Sequence, residues 1–151
     1  MALLEQALLL TAILGSGVVA GLCFTFGSFV MHALDDLGPP AAIRAMQSIN
    51  ARILKSLAMP LWLGTVPVGI GAALLSGGSP FAILGAALYT AGALLVTGLG
   101  NVPLNESLDT VHAESAEADA RWREYLVRWG RLNTLRTILF MLATLGFGLA
   151  L

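Results

Sequence analysis

Apolar residues run along this chain in four long stretches, Leu3 to Leu34, Ser56 to Leu75, Pro80 to Gly100 and Leu132 to Leu151, with shorter segments between them that hold most of the charge. A helix needs about 20 residues to cross a hydrocarbon layer of roughly 30 Å, and each stretch meets that length. Lipid leaves only helices and closed barrels able to satisfy their own backbone, and the alternating polarity of barrel strands is absent. The expected fold class is therefore all-α: a four-transmembrane-helix antiparallel bundle, one integral membrane domain over residues 1–151. The first stretch, roughly 48 Å long as a helix, must tilt or project from the layer.

Two connections have their own periodicity. After the break at "DDLGPP", Ala41, Met46, Ile49 and Ile53 fall on one side of a helix, and Arg44, Gln47 and Arg52 lie away from it. This predicts an amphipathic helix from Pro40 to Lys55 at the membrane surface. The second connection begins with "GNVPLNESLD". Pro103 cannot continue a helical ladder and disfavours helix at Val102, which predicts a turn there. From Leu104 the positions Leu108, Val111, Ser115, Ala118, Trp122, Tyr125 and Trp129 recur at helical spacing. A second amphipathic helix is expected to run from that turn towards the last span.

Within the spans the pattern is less specific. Gly17, Gly21, Thr25, Ser28, His32 and Asp35 form one stripe along the first, small in the membrane and ionisable at its end. Close packing against a neighbouring helix explains the small residues as well as any function does. Pro60, Gly64, Pro67 and Gly71 share a face of the second span, where a bend would open a cavity. Tyr89, deep in the third, calls for a hydrogen-bond partner inside the bundle.

Composition supports the membrane reading. The chain is 57 % hydrophobic and 11 % charged, against about 25 % charged in soluble domains. Its eight Lys and Arg residues lie in or beside the connections after spans one and three, and none lies at either terminus or in "SGGSP". The positive-inside rule then sets both amphipathic connections in the cytoplasm and both termini outside. "MALLEQALLL" lacks a basic start and a cleavage site, so the first stretch is expected to be a permanent span. The single cysteine, Cys23, excludes an intrachain disulfide. Basic residues alternate with Asp and Glu and no recognition motif appears, so nucleic acid is not an expected partner.

Candidate chemistry gathers at one end. Trp122, Tyr125, Trp129, Asn133 and Arg136 follow one another at spacings of three, four, four and three. Read singly, the aromatics make an interfacial belt and Arg136 a snorkelling anchor. Read together, the His32 end of span one, the Asn101 end of span three and the start of span four reach the same surface beside the proline-bearing helix. That is the pattern of a ligand site opening to the cytoplasmic interface.

"NVPLNE", followed by Trp122, Tyr125, Trp129, Asn133 and Arg136, resembles the anthrone oxygenase-like family, small four-helix membrane proteins mostly catalogued as a domain of unknown function. The resemblance covers nearly the whole chain. It implies oxidation of a hydrophobic polycyclic aromatic by dioxygen to a quinone, with no cofactor, and a bacterial inner-membrane location. Chemistry of that kind needs a base, for which Glu106 and His32 are the candidates. Arg136 with Asn101, Asn105 and Asn133 would hold an enolate oxygen, and Trp122, Tyr125 and Trp129 would stack on a flat substrate. His32, Asp35, Asp36 and Glu106 offer metal-ligand types without a recognisable spacing, so no metal site is assigned. The alternatives are a non-catalytic protein binding a lipid or quinone-like molecule in the same pocket, and a scaffold. The expected partners are a hydrophobic small molecule or lipid and the bilayer, with a homo-oligomer left open.

Overall fold

The turn at "DDLGPP" is made by Gly38, whose φ of +80° suits glycine, and the next helix starts on the proline that follows. The computed structural model describes residues 3–151; Met1 and Ala2 of the expected domain lie outside the described residues. Among those described, the chain is all-helical. Helix α1 spans Leu3–Asp35, α2 Pro39–Ile53, α3 Ala58–Leu75, α4 Pro80–Asp109 and α5 Ala118–Ala150. All except α2 are long and apolar enough to cross a membrane. Leu14, Val18, Leu63, Ile70, Ile138 and Leu145 are exposed along them, as lipid contact requires.

Helix α5 is central to the packing. Phe140 and Phe147 are fully buried and lie where glycines leave room: a Cβ on Gly92 would stand 2.7 Å from Phe140, and one on Gly69 2.8 Å from Phe147. Gly146 sits against the backbone of α4, where a Cβ would meet the Phe81 carbonyl oxygen at 3.0 Å. Small residues let backbones approach where lipid is as apolar as the core. Three hydrogen bonds join α1 to α5: Thr144 Oγ1 donates to Ser16 Oγ at 2.8 Å, Asn133 Nδ2 to the Cys23 carbonyl at 2.9 Å, and Trp122 Nε1 to Asp35 Oδ1 at 2.8 Å. They step forward along α1 and backward along α5. The Tyr89 hydroxyl finds its partner in the Trp62 carbonyl, 2.9 Å away in α3.

Two buried clusters result. One lies among the spans, around Leu9, Val19, Trp62, Tyr89, Phe140 and Phe147. The other gathers α2, the ends of α1 and α4 and the start of α5, around Ile43, Met46, Leu108, Trp122, Tyr125 and Trp129.

Three local expectations are corrected. The chain does not turn at Pro103. Helix α4 runs through it, because Ala91–Asn101 is π-helical and Pro103 falls in the first turn of the α segment that follows, where a missing N–H is tolerated. The amphipathic run from Leu104 is not one helix either: residues 110–117 are irregular, and α5 then starts at Ala118. Gln47 ends α4 by donating Nε2 to the carbonyls of Leu108 and Val111, at 3.0 Å each, an interaction with no local signature. Finally, the packed face of α1 is Leu9, Ala12, Gly15, Ser16, Val19, Ala20 and Cys23 rather than the glycine stripe. Gly21 and Ser28 are exposed. Hydrophobicity cannot separate a helix-facing side from a lipid-facing one.

Candidate functional site

A cavity of about 250 Å³ opens between the two clusters. An engineered cavity of roughly 150 Å³ is enough for one benzene ring, so this one has room for more. All five helices reach it: Cys23 and Phe26 from α1, Met46 and Asn50 from α2, Trp62 from α3, Thr97 and Asn105 from α4, and Trp129 and Arg136 from α5. Much of the α4 wall, Thr97 included, belongs to the π-helical stretch, where Thr97 Oγ1 donates to the Gly92 carbonyl five residues back at 2.8 Å. Long π stretches are rare, and shorter ones concentrate at functional sites.

Arg136 dominates the electrostatics. It is only 8 % exposed. Its Nε and Nη2 donate to Asn133 Oδ1 at 3.1 and 2.9 Å, and Nη1 reaches Thr97 Oγ1 at 3.5 Å. The guanidinium carbon lies 5.2 Å from the centroid of the Trp62 ring and 5.1 Å from that of Trp129. Both aromatic faces attract the cation. Every one of these partners is neutral, and none of the ion pairs among the described residues includes Arg136. A guanidinium in a span costs about 3 kcal/mol on insertion scales, and such groups normally find an opposite charge. Trp62 Nε1 and Trp129 Nε1 are also buried with no acceptor.

The structure separates the nine sequence-derived site residues into three groups. Asn105, Trp129 and Arg136 line the cavity. Asn101, Asn133 and Tyr125 hold them: Asn101 Nδ2 donates to the Trp129 carbonyl at 3.4 Å, Asn133 accepts from Arg136, and the Tyr125 hydroxyl donates to Asn105 Oδ1 at 2.9 Å. Trp122 stacks on Tyr125 with centroids 5.8 Å apart, and Tyr125 on Trp129 at 6.0 Å, so the three aromatics stack in series and only Trp129 reaches the cavity. Glu106 and His32 form the third group. Both are exposed and neither lines the cavity. Glu106 follows cavity-lining Asn105, and a step of one residue along a helix turns a side chain about 100° away. His32 likewise flanks Met31, which takes the buried side of α1.

No group of three or more His, Cys, Asp or Glu among the described residues is placed to hold a metal ion. Asp35 is engaged by Trp122.

Asn50, Trp62 and Thr97 are cavity residues that the sequence reading missed. Asn50 had a signal: it sits four residues after Met46, on the buried side of α2, where an amide has no reason to be unless it meets something polar. Trp62 had a weaker one, as the only tryptophan inside a span free of charge. Thr97 had none.

The family model described as anthrone oxygenase matches residues 46–146, about two thirds of the chain. The match takes in all of the cavity lining except the α1 residues Leu22, Cys23 and Phe26. No curated protein and no solved structure matches the chain.

Proposed function

The chain belongs to the anthrone oxygenase family, and from that premise we propose that its cavity is a membrane-embedded site where dioxygen oxidises a hydrophobic polycyclic aromatic of the anthrone kind to a quinone. The observation that carries this reading is Arg136, a buried cation with only neutral partners, set between two indoles on the wall of a cavity larger than one aromatic ring. Flat apolar walls with one cation suit a polycyclic ring system bearing an oxygen on which negative charge develops.

In the reaction the ring CH2 loses two hydrogens and gains one oxygen atom of dioxygen. The other oxygen leaves as water, and the substrate supplies all the electrons. Arg136 and Asn105 would meet the substrate oxygen and Trp129 its ring, while Asn101, Asn133, Tyr125 and Trp122 keep those three in place. Glu106 and His32 take no part on this reading, because both are exposed. The cavity would open to the cytoplasmic leaflet of a bacterial inner membrane. Supporting that topology are the clustering of Lys and Arg in the two connections and the α1 to α5 hydrogen bonds, which pair residue 16 with 144, 23 with 133 and 35 with 122, as antiparallel spans do.

The test is oxygen uptake by detergent-purified protein given anthrone, corrected for uncatalysed autoxidation. One dioxygen should be consumed per quinone formed, with one labelled oxygen retained from 18O2. Arg136→Ala should lower the rate about 100-fold or more, as loss of an anion-stabilising donor does elsewhere. A rate equal to that in detergent alone rejects the reading.

One observation favours a second reading, a protein that binds a lipid or quinone-like molecule without transforming it. No Asp, Glu or His lines the cavity. Native mass spectrometry with extraction and identification of the bound molecule separates the two: an unreacted quinone or lipid held at unit stoichiometry, with no oxygen uptake, supports binding alone.

A further inference from the structure

The cavity contains a cation and no carboxylate or imidazole. The chain has nine Asp and Glu and two His; none lines the cavity, eight of the nine acids are exposed, and the ninth, Glu5, lies near the start of α1, about 25 Å along the helix from Cys23. Arg136 and the Cys23 thiol are the lining groups that carry charge or titrate. The α2, α3 and α4 walls face Arg136 with amide, indole and hydroxyl groups. On α5 the Tyr125 hydroxyl is committed to Asn105. A site built to remove a proton would need a base in reach of it. This one offers donors instead: a guanidinium whose acceptors are all neutral, beside two buried indole N–H groups without acceptors.

We infer that the cavity takes its aromatic ligand as a preformed oxyanion, an enolate, phenolate or carboxylate already ionised in water, and that Arg136 is the residue that selects this charge state. The inference deepens the reading above and rests on it only for the aromatic character of the ligand. The physical reason is the balance at Arg136. A neutral ligand leaves the buried charge uncompensated, whereas an oxyanion supplies the opposite charge and accepts the remaining N–H groups. Hydrogen bonds to charged groups give a preference of about 10- to 100-fold. Trp62, Trp129 and Phe26, whose ring lies 6.0 Å from that of Trp129, make the walls aromatic rather than suited to a flexible acyl chain alone.

The experiment uses the full chain in a non-ionic detergent, with micelle partition subtracted, and unreactive probes: 2-naphthoate, its neutral isostere 2-naphthamide, decanoate as a lipid-like carboxylate, and 2-naphthol. Naphthoate should bind about 10- to 100-fold more tightly than naphthamide, and more tightly than decanoate. In Arg136→Gln the preference for naphthoate should disappear while naphthamide binding remains. Naphthol affinity should rise with pH towards the phenol's own pKa, at a midpoint that Cys23→Ala leaves unmoved. Equal binding of naphthoate and naphthamide to the unaltered protein overturns the inference without any variant having to fold. So does a naphthol midpoint that moves with Cys23→Ala, which would make the thiol the base. Decanoate binding as tightly as naphthoate would assign the cation to a lipid carboxylate and also overturn it. Oxygen uptake is a separate measurement, so the oxidation and the charge selection fail independently.

Discussion

Arg136 directs two of its nitrogens at one oxygen of Asn133, Nε from 3.1 Å and Nη2 from 2.9 Å. The asparagine uses its other end to hold the Cys23 carbonyl in α1. A single amide thus orients the buried cation and ties α5 to α1. Any change at Asn133 acts on the fold and on the cavity together.

Asn133→Ala should therefore be costly. It leaves Arg136 without its main acceptor, and each buried polar group stranded in this way costs about 1–3 kcal/mol. A loss of about 2 kcal/mol or more is expected in reversible unfolding of the detergent-solubilised protein. Asn133→Asp keeps an acceptor for Arg136, replaces the donor to Cys23 and supplies the charge that a ligand would otherwise bring. It should abolish the preference for naphthoate even where it folds. Unfolding of Asn133→Ala at the unaltered midpoint would contradict the arrangement.

Gly146 and Gly148 lie two residues apart in α5 and should respond differently. A Cβ at Gly146 meets backbone atoms of α4, at 3.0 Å from the Phe81 oxygen and 3.1 Å from the Gly85 Cα, and backbone cannot rotate out of the way. Gly146→Ala should destabilise by about 1–3 kcal/mol, the range for overpacking. A Cβ at Gly148 meets nothing within 4 Å. Gly148→Ala should change stability by less than about 0.5 kcal/mol or raise it slightly. Paired unfolding curves decide the matter, and equal costs would reject this packing of α4 on α5.

Among the described residues, only Gln47 reaches from another element to the Leu108 carbonyl of α4 and the Val111 carbonyl just beyond it. Removing its amide should loosen the end of α4 and the irregular segment after it, with little effect on the spans. In Gln47→Ala, amide hydrogen exchange should rise over residues 108–117 and stay unchanged in α1 and α3. A uniform rise across the protein would mean that this contact supports the whole fold.

Trp122 and Asp35 join the start of α5 to the end of α1 through one hydrogen bond. Asp35 is exposed, so the bond is worth about 1 kcal/mol. Asp35→Ala should lose that much, Trp122→Phe that much plus the cost of a smaller ring in a filled core, and the double variant little more than Trp122→Phe, giving a coupling of about 1 kcal/mol in a double-mutant cycle. Additive losses would show that the two side chains do not interact.

Much of this was legible from residue order. Membrane-length apolar stretches without the alternation of barrel strands predict helices, because lipid admits only those two ways to satisfy a backbone, and the four long helices follow. Spacing was equally informative at the start of α5. Trp122, Tyr125, Trp129, Asn133 and Arg136 are all buried, on the one face their intervals define. An amide and a guanidinium in an apolar helix either turn inward or snorkel to the interface; the sequence put them on one face with the aromatics, and burial shows that this face is internal.

Tertiary structure decided which of those groups meet open space. Sequence spacing gives an angle around one helix and says nothing of what stands opposite. Asn50, Trp62 and Thr97 entered the cavity from three other helices, and Glu106 fell on the exposed surface one residue beyond Asn105. The π-helical stretches, Phe26–Val30 in α1 and Ala91–Asn101 in α4, shift the register of both helices in a way that a uniform helical period cannot express. Lipid removes the remaining clue: where the surroundings are as apolar as the core, Gly21 and Gly146 look alike in sequence, and only the approach of a neighbouring backbone to Gly146 distinguishes them.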